Sequence, residues 1–197
     1  MLFLCKRSVS GSFPVLVVLL GLALLLRRLL GAGPPLTWSP HALGAGLVVF
    51  GVMILSDGLL HQGFRLTLGA PYRRRFLELA DVFRNQSSAA IVAGALLAGL
   101  GEEPFFRGIS TDPIILATGA VVFGLMHHIR RRLWLFTLWS IYEGFLLATA
   151  LYITQDLAVT MMAHFLHDLT GFLIFRQERA RHPGQDSNPE RLVRTEE

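Results

Sequence analysis

Six ionisable residues stand within or at the ends of hydrophobic runs: Glu102, Glu103, Arg107, His127, His164 and Asp168. Carboxylates and imidazoles can hold and move protons near neutral pH or ligate metal. In an apolar setting each is costly, and such residues are usually functional. In the stretch Gly101-Glu102-Glu103-Pro104-Phe105-Phe106-Arg107-Gly108, Glu103 and Arg107 are four residues apart. On a helix they share a face and neutralise one another, whereas Glu102 is rotated about 100° away and lacks that partner. One carboxylate reads as structural and the other as available. On the dipeptide alone, a helix end at the headgroup boundary, marked by Pro104 and Gly108, explains the pair equally well. His164 and Asp168 are also four apart, so the carboxylate can fix the imidazole's tautomer or both can point at one ligand. His167 lies close to that face. His128, beside Arg130, Arg131 and Arg132, and His61 read as interface residues.

The elements that must position these groups are membrane helices. Of 197 residues 52% are hydrophobic and 16% charged, and the charge is gathered between apolar stretches instead of along amphipathic faces. A soluble domain of this length needs more polar surface. Six apolar segments approach the ~20 residues that cross a bilayer: 12–30, 42–61, 88–106, 113–129, 134–154 and 157–175. This predicts an all-α fold, a polytopic membrane helix bundle of about six transmembrane helices, as a single domain over 1–175. The first segment has Arg27 and Arg28 where a signal peptide would have a cleavage site, so it reads as a retained signal anchor. Residues 62–87 read as a loop carrying an interfacial amphipathic helix around Phe76, Leu77, Leu79, Val82 and Phe83. Residues 176–197, charged and containing Pro183 and Pro189, are expected to be disordered.

With six spans, Lys6, Arg7, Arg65, Arg73 to Arg75, Arg84, Arg130 to Arg132 and the arginines from Arg176 onward share one side, leaving Arg27, Arg28 and Arg107 on the other. The positive-inside rule then places both termini in the cytoplasm. The formal charge of +4 is mostly arginine beside apolar runs, which suits lipid headgroups and argues against nucleic acid as a partner. Cys5 is the only cysteine, so no intramolecular disulfide forms.

The order Glu102-Glu103-x-x-x-Arg107, then Phe123-x-x-x-His127, then His164-x-x-x-Asp168, each on its own apolar helix, resembles the CAAX prenyl protease and bacteriocin-processing (CPBP, or Abi) family of glutamic intramembrane proteases. The resemblance covers roughly residues 88–172. It implies intramembrane endopeptidase activity on a membrane-associated protein or peptide without a cofactor, in an integral protein of a bacterial inner membrane. It further implies catalytic roles for Glu102, His127, His164 and Asp168. Glu102 would be the general base toward water and His127 would orient that water, while His164 and Asp168 would stabilise the oxyanion. Glu103, Arg107 and Phe123 would support the site. Asp168 stands where the family often has asparagine, so it must be protonated or act by orienting His164.

Two other chemistries use overlapping residues. His127, His164, His167 and Glu102 or Asp168 could supply a tetrahedral set for zinc, as in a membrane metalloprotease, although no His-Glu-x-x-His motif is present. The additional intramembrane acids Asp57 and Glu143 suggest a proton or ion path, as in a transporter, or a non-catalytic immunity protein. A geometric condition also applies to the proteolytic reading. If the third and fourth segments are straight spans, Glu102 and His127 lie on the order of 15 Å apart in depth. Sharing one water requires a break in 104–119, where Pro104, Gly108, Pro113 and Gly119 stand, or different helix boundaries.

Overall fold

The computed structural model describes residues 13–30, 33–127 and 133–182, and every regular element among them is helical. In chain order these are α1 (Phe13–Leu30), α2 (Pro40–Ala80), α3 (Ser88–Leu97), α4 (Glu103–Phe106), α5 (Pro113–Met126), α6 (Trp134–Thr154) and α7 (Leu157–Arg181). Ser39, Ser87, Asp112 and Asp156 start α2, α3, α5 and α7 by accepting hydrogen bonds from first-turn amides, the preferred N-cap chemistry.

Among the described residues four stretches are long and apolar enough to cross a membrane: Pro40–Phe83, Ser88–Phe106, Trp134–Thr154 and Leu157–Arg181. That is fewer than the six expected. α5 has 14 residues, about 21 Å at 1.5 Å per residue, which is less than the ~30 Å hydrocarbon core. Outward-facing Val48, Leu55, Leu59, Ile114 and Ile153 are exposed, a surface suited to acyl chains. The chain has the helices of an integral membrane protein.

α7 lies at the centre of the bundle. α2 runs parallel to it, packing Ala42 on Ala158 and Val159. α3 runs antiparallel, with Ile91 and Ala95 against Phe172. Gly99 lets the α3 segment approach most closely, because a Cβ there would lie 2.7 Å from the Met161 carbonyl oxygen. α6 closes the third side through Leu147, which meets Met53 and Ala163, and α5 packs on α6 through Leu116, Ala120, Ala148 and Leu151.

Two expectations are corrected. Residues 62–68 are not a loop but helix: α2 continues to Ala80, interrupted only at Gly69, whose φ of 56° and ψ of −130° turn the chain just before Pro71. Only glycine adopts such a conformation cheaply. The limb beyond it packs back on the bundle, with Tyr72, Phe76 and Leu79 buried against Leu133, Leu135 and Phe136. The second correction is at the carboxy-terminal end, where residues 176–181, expected to be disordered, form the last turns of α7, and Arg179 pairs with Asp81 there. The remainder of that tail, His128 and Arg130 to Arg132 lie outside the described residues.

The two ends of the bundle differ in charge. Arg176 donates to Ser88 Oγ at 3.1 Å, and Arg73 reaches His182 at 3.3 Å, so the end of α7, the start of α3 and the second limb of α2 meet at an arginine-rich end. At the opposite end Leu157 N–H donates to the Pro35 carbonyl at 2.9 Å and Arg27 donates to the Pro34 carbonyl at 2.9 Å. Asp156 accepts there from Thr37 through both its amide, at 3.1 Å, and its hydroxyl.

Candidate active site

A widened turn presents the glutamates. Pro104 has no N–H to complete the helical bond to residue 100, and Ala98–Glu102 forms a π turn immediately before it; such turns occur often at functional sites. After α4 the helix stops. Gly108 N–H bonds back to the Pro104 carbonyl at 3.1 Å, and residues 107–112 reverse the chain into α5. The break that the sequence required between Glu102 and His127 is therefore present, and their side chains come together, His127 Nε2 lying 4.0 Å from Glu102 Oε2. Both residues are buried, at 8% and 5% exposure. His127 Nδ1–H donates to the Phe123 carbonyl at 2.6 Å, which fixes the tautomer and leaves Nε2 facing the carboxylate as an acceptor.

Glu103 pairs with Arg107, as their spacing predicts, and it also reaches a second partner. Its Oε1 accepts from Arg107 at 2.5 Å and from His164 Nδ1 at 2.8 Å. Arg107 also donates to the Gly144 carbonyl at 3.2 Å, and its guanidinium lies 4.7 Å from the centroid of the Phe123 ring. Gly144 also lets α6 approach α5 closely, since a Cβ there would lie 2.9 Å from the Ala120 oxygen. One buried arginine thus ties α4 to α6 and rests on α5. The Phe123 ring also lies 4.4 Å from the His127 ring and 5.7 Å from that of His164, so the two imidazoles flank one aromatic.

The orienting carboxylate of His164 differs from the expected one. Asp168 shares the face, but its Oδ2 stands 3.8 Å from His164 Nε2, beyond hydrogen-bond length. Glu103 holds the ring instead. All seven residues singled out in the sequence, Glu102, Glu103, Arg107, Phe123, His127, His164 and Asp168, therefore fall in one connected group of side chains.

A second cluster adjoins it. Asp57 on α2, Glu143 on α6 and His167 on α7 converge, with His167 Nε2 2.5 Å from Asp57 and 3.3 Å from Glu143. Their donor atoms lie within 4.8 Å of one another, the arrangement of a possible metal centre. Of the histidines proposed for zinc from sequence, this group contains His167 alone. Asp57 and Glu143 were visible as intramembrane acids, but no spacing in one helix could reveal that three separate helices join them to His167. His61, read as an interface residue, instead bonds Tyr72 Oη through Nδ1 at 2.7 Å.

A cavity of about 350 Å³ opens between α2, α6 and α7. Phe76, Phe136, Trp139 and Phe172 form apolar walls, Asp57, Glu143, His167 and Asp168 supply polar groups, and Glu178 extends the lining toward the arginine-rich end. Of the four residues expected to be catalytic, Asp168 is the one that lines it.

Comparison with known proteins points to the same stretch of the chain. Residues 84–170 match the type II CAAX prenyl endopeptidase Rce1-like family, a span that contains the paired glutamates, both motif histidines and Asp168. The chain is also similar to YpbD of Bacillus subtilis (strain 168), a protein described as uncharacterized, with 30% identity over 109 residues. That alignment covers 55% of this chain and 58% of YpbD. No solved structure matches. This chain carries a domain of the Rce1-like type II CAAX prenyl endopeptidase (CPBP/Abi) family.

Proposed function

We propose that the protein is an intramembrane endopeptidase that cleaves a membrane-associated polypeptide with a glutamate-activated water. The observation that carries this reading is the buried Glu102–His127 pair, whose facing atoms are 4.0 Å apart. That gap is too long for a direct hydrogen bond, but a water about 2.8 Å from each atom fits beside the line joining them. Glu102 takes a proton from this water as it attacks the scissile carbonyl, and His127 Nε2 accepts the other hydrogen and aims the oxygen. Glu102 then returns its proton to the leaving amine.

The developing oxyanion is stabilised across the site by His164 and Asp168. Glu103 accepts the Nδ1 proton of His164, so the group facing the oxyanion is the Nε2 edge, with Asp168 3.8 Å away, and a second proton on His164 Nε2 or on the Asp168 carboxyl supplies the donor. In this arrangement Asp168 does not repel the oxyanion. Membership of a family whose members are usually peptidases supports the reading. The substrate class is a membrane-anchored polypeptide: a prenylated CAAX protein, a peptide leader or a carboxy-terminal anchor. The arginine-rich end faces the cytoplasm by the positive-inside rule.

The test is cleavage of a fluorogenic lipidated peptide panel by purified full-length protein in proteoliposomes. Glu102→Gln, which keeps shape and removes the base, abolishes turnover while the melting temperature stays near wild type. Normal turnover by that variant would refute the mechanism.

A further inference from the structure

The acids Asp57 and Glu143 have no part in the proposed hydrolysis, yet they approach the same imidazole nitrogen. A single proton on His167 Nε2 serves one carboxylate well and the other poorly. The opposite nitrogen, Nδ1, is buried and makes no hydrogen bond. It faces a third carboxylate, Asp168 Oδ1, at 3.7 Å. Around one ring that is 8% exposed there are thus three carboxylates; Asp168 also faces His164 at 3.8 Å, which leaves Asp57 and Glu143 together in excess over the one charge that His167 can carry. In a membrane interior such an excess calls for a cation.

The surroundings specify what kind. Trp139 Nε1–H donates to Asp57 Oδ1 at 2.8 Å, leaving Oδ2 turned toward the cluster. Asp168 stands beside Nδ1 at 3.7 Å, and closing that gap by about 0.7 Å to hydrogen-bond length gives the carboxylate–histidine arrangement that commonly stands behind a metal-bound imidazole with Nε2 as the ligand. Metal–ligand bonds of 2.0–2.1 Å place tetrahedral donors about 3.3 Å apart. The His167–Glu143 separation of 3.3 Å already meets this. The His167–Asp57 separation of 2.5 Å needs to widen by about 0.8 Å to reach that spacing. One imidazole and two carboxylates suit a zinc-type ion better than magnesium, which favours oxygen ligands and retained waters. The cavity gives the fourth coordination position access to water or ligand.

We propose that Asp57, Glu143 and His167 bind one divalent ion of the zinc class at the polar wall of the cavity, in a site separate from the Glu102–His127 pair. Asp168 stands between the two centres, one oxygen toward each histidine.

The test uses full-length protein in detergent micelles, stripped by chelator, dialysed and free of any histidine tag. Zinc chloride is titrated by calorimetry, and cobalt chloride by visible absorption and tryptophan emission. Wild type takes up one equivalent, develops the intense visible bands of four-coordinate cobalt, and changes the emission of Trp139. Glu143→Gln weakens binding tenfold or more, as does Asp57→Asn if that variant folds, whereas Glu102→Gln binds as wild type does. No uptake by wild type overturns the proposal, as does binding that Glu143→Gln leaves unchanged. Because the readout is binding, loss of cleavage by Glu102→Gln neither supports nor weakens it.

Discussion

Replacing Glu103 by glutamine removes one negative charge from a place where the structure leaves little to compensate for it. The carboxylate is fully buried, Arg107 is 1% exposed and His164 3%, so water cannot solvate the guanidinium left behind. Glutamine keeps the shape and one acceptor, and Arg107 keeps its bond to the Gly144 carbonyl. What is lost is the charge-assisted part of two contacts at 2.5 and 2.8 Å. Breaking a buried pair from one side costs about 3–5 kcal/mol. At about 2–4 °C per kcal/mol for a chain of this size, the melting temperature falls by about 6–20 °C. The assay is thermal unfolding in micelles followed by tryptophan emission, with Glu102→Gln as the control one residue away. A double-mutant cycle with Arg107→Gln recovers part of the loss, since the cation is removed as well. A Glu103→Gln variant that melts within about 2 °C of wild type, less than the shift expected from even 1 kcal/mol, would sink the argument that this carboxylate anchors the site.

Three further outcomes follow from other parts of the molecule. Asp168→Asn retains cleavage, because an amide can donate to the oxyanion directly, whereas Asp168→Ala loses about 10²–10³ in rate; equal damage by both would mean that the charge itself is needed. Gly99→Ala places a methyl 2.7 Å from the Met161 oxygen and destabilises by about 1–3 kcal/mol, whereas Gly51→Ala, with nothing within 4 Å, is neutral or slightly stabilising; equal melting temperatures for the two would refute close packing of α3 on α7. Burial acts to raise the pKa of Asp156, but hydrogen bonds from Thr37 and the Ala158 amide outweigh it and hold the carboxyl below its ordinary value. A lowered folded-state pKa means that the stabilisation is present above the unfolded value and is lost as pH falls through the folded one. The melting difference between wild type and Asp156→Asn is therefore largest near neutrality and shrinks in acid, and a gap constant from pH 7 to pH 2 would show that the charge contributes nothing.

The sequence made the candidate site legible because each motif sits within one helical turn or two: Glu103 with Arg107, Phe123 with His127 and His164 with Asp168 share faces by local spacing alone. It also showed that Glu102 and His127 could meet only across a break, and Pro104 and Gly108 marked where the break lies. Partners from distant helices were not legible. Nothing in a spacing of 61 residues says that Glu103, not Asp168, holds His164, or that Asp57, Glu143 and His167 meet. The amphipathic pattern around Phe76, Leu77, Leu79, Val82 and Phe83 was visible, but amphipathicity fits a lipid surface and a protein surface equally well, and only tertiary packing placed Tyr72 and Phe76 against the bundle. Of the six apolar segments, 113–129 was read too generously, because apolar composition persists through α5, whose 14 residues fall short of the length of a straight crossing.

The π turn at Ala98–Glu102 bears on how this site tolerates insertions and deletions. A turn closed five residues apart holds one residue more than a regular helical turn, so α3 and α4 do not share a continuous register. Everything before the turn is phased to α7 through Ile91, Ala95 and Gly99, and everything after it is phased to Arg107 and His164. Deleting one residue within the turn would restore an unbroken ladder and leave the glutamates close to their present angle relative to α3, because the surplus residue adds almost no net rotation, whereas a deletion in the regular part of α3 would swing them by about 100°. The same deletion in the 107–112 reversal would be absorbed by loop backbone. In this helix a single-residue loss is thus tolerated at the π turn and in the 107–112 reversal but not in the regular turns of α3, so the surplus residue marks where the segment can change length while Glu103 stays within reach of His164.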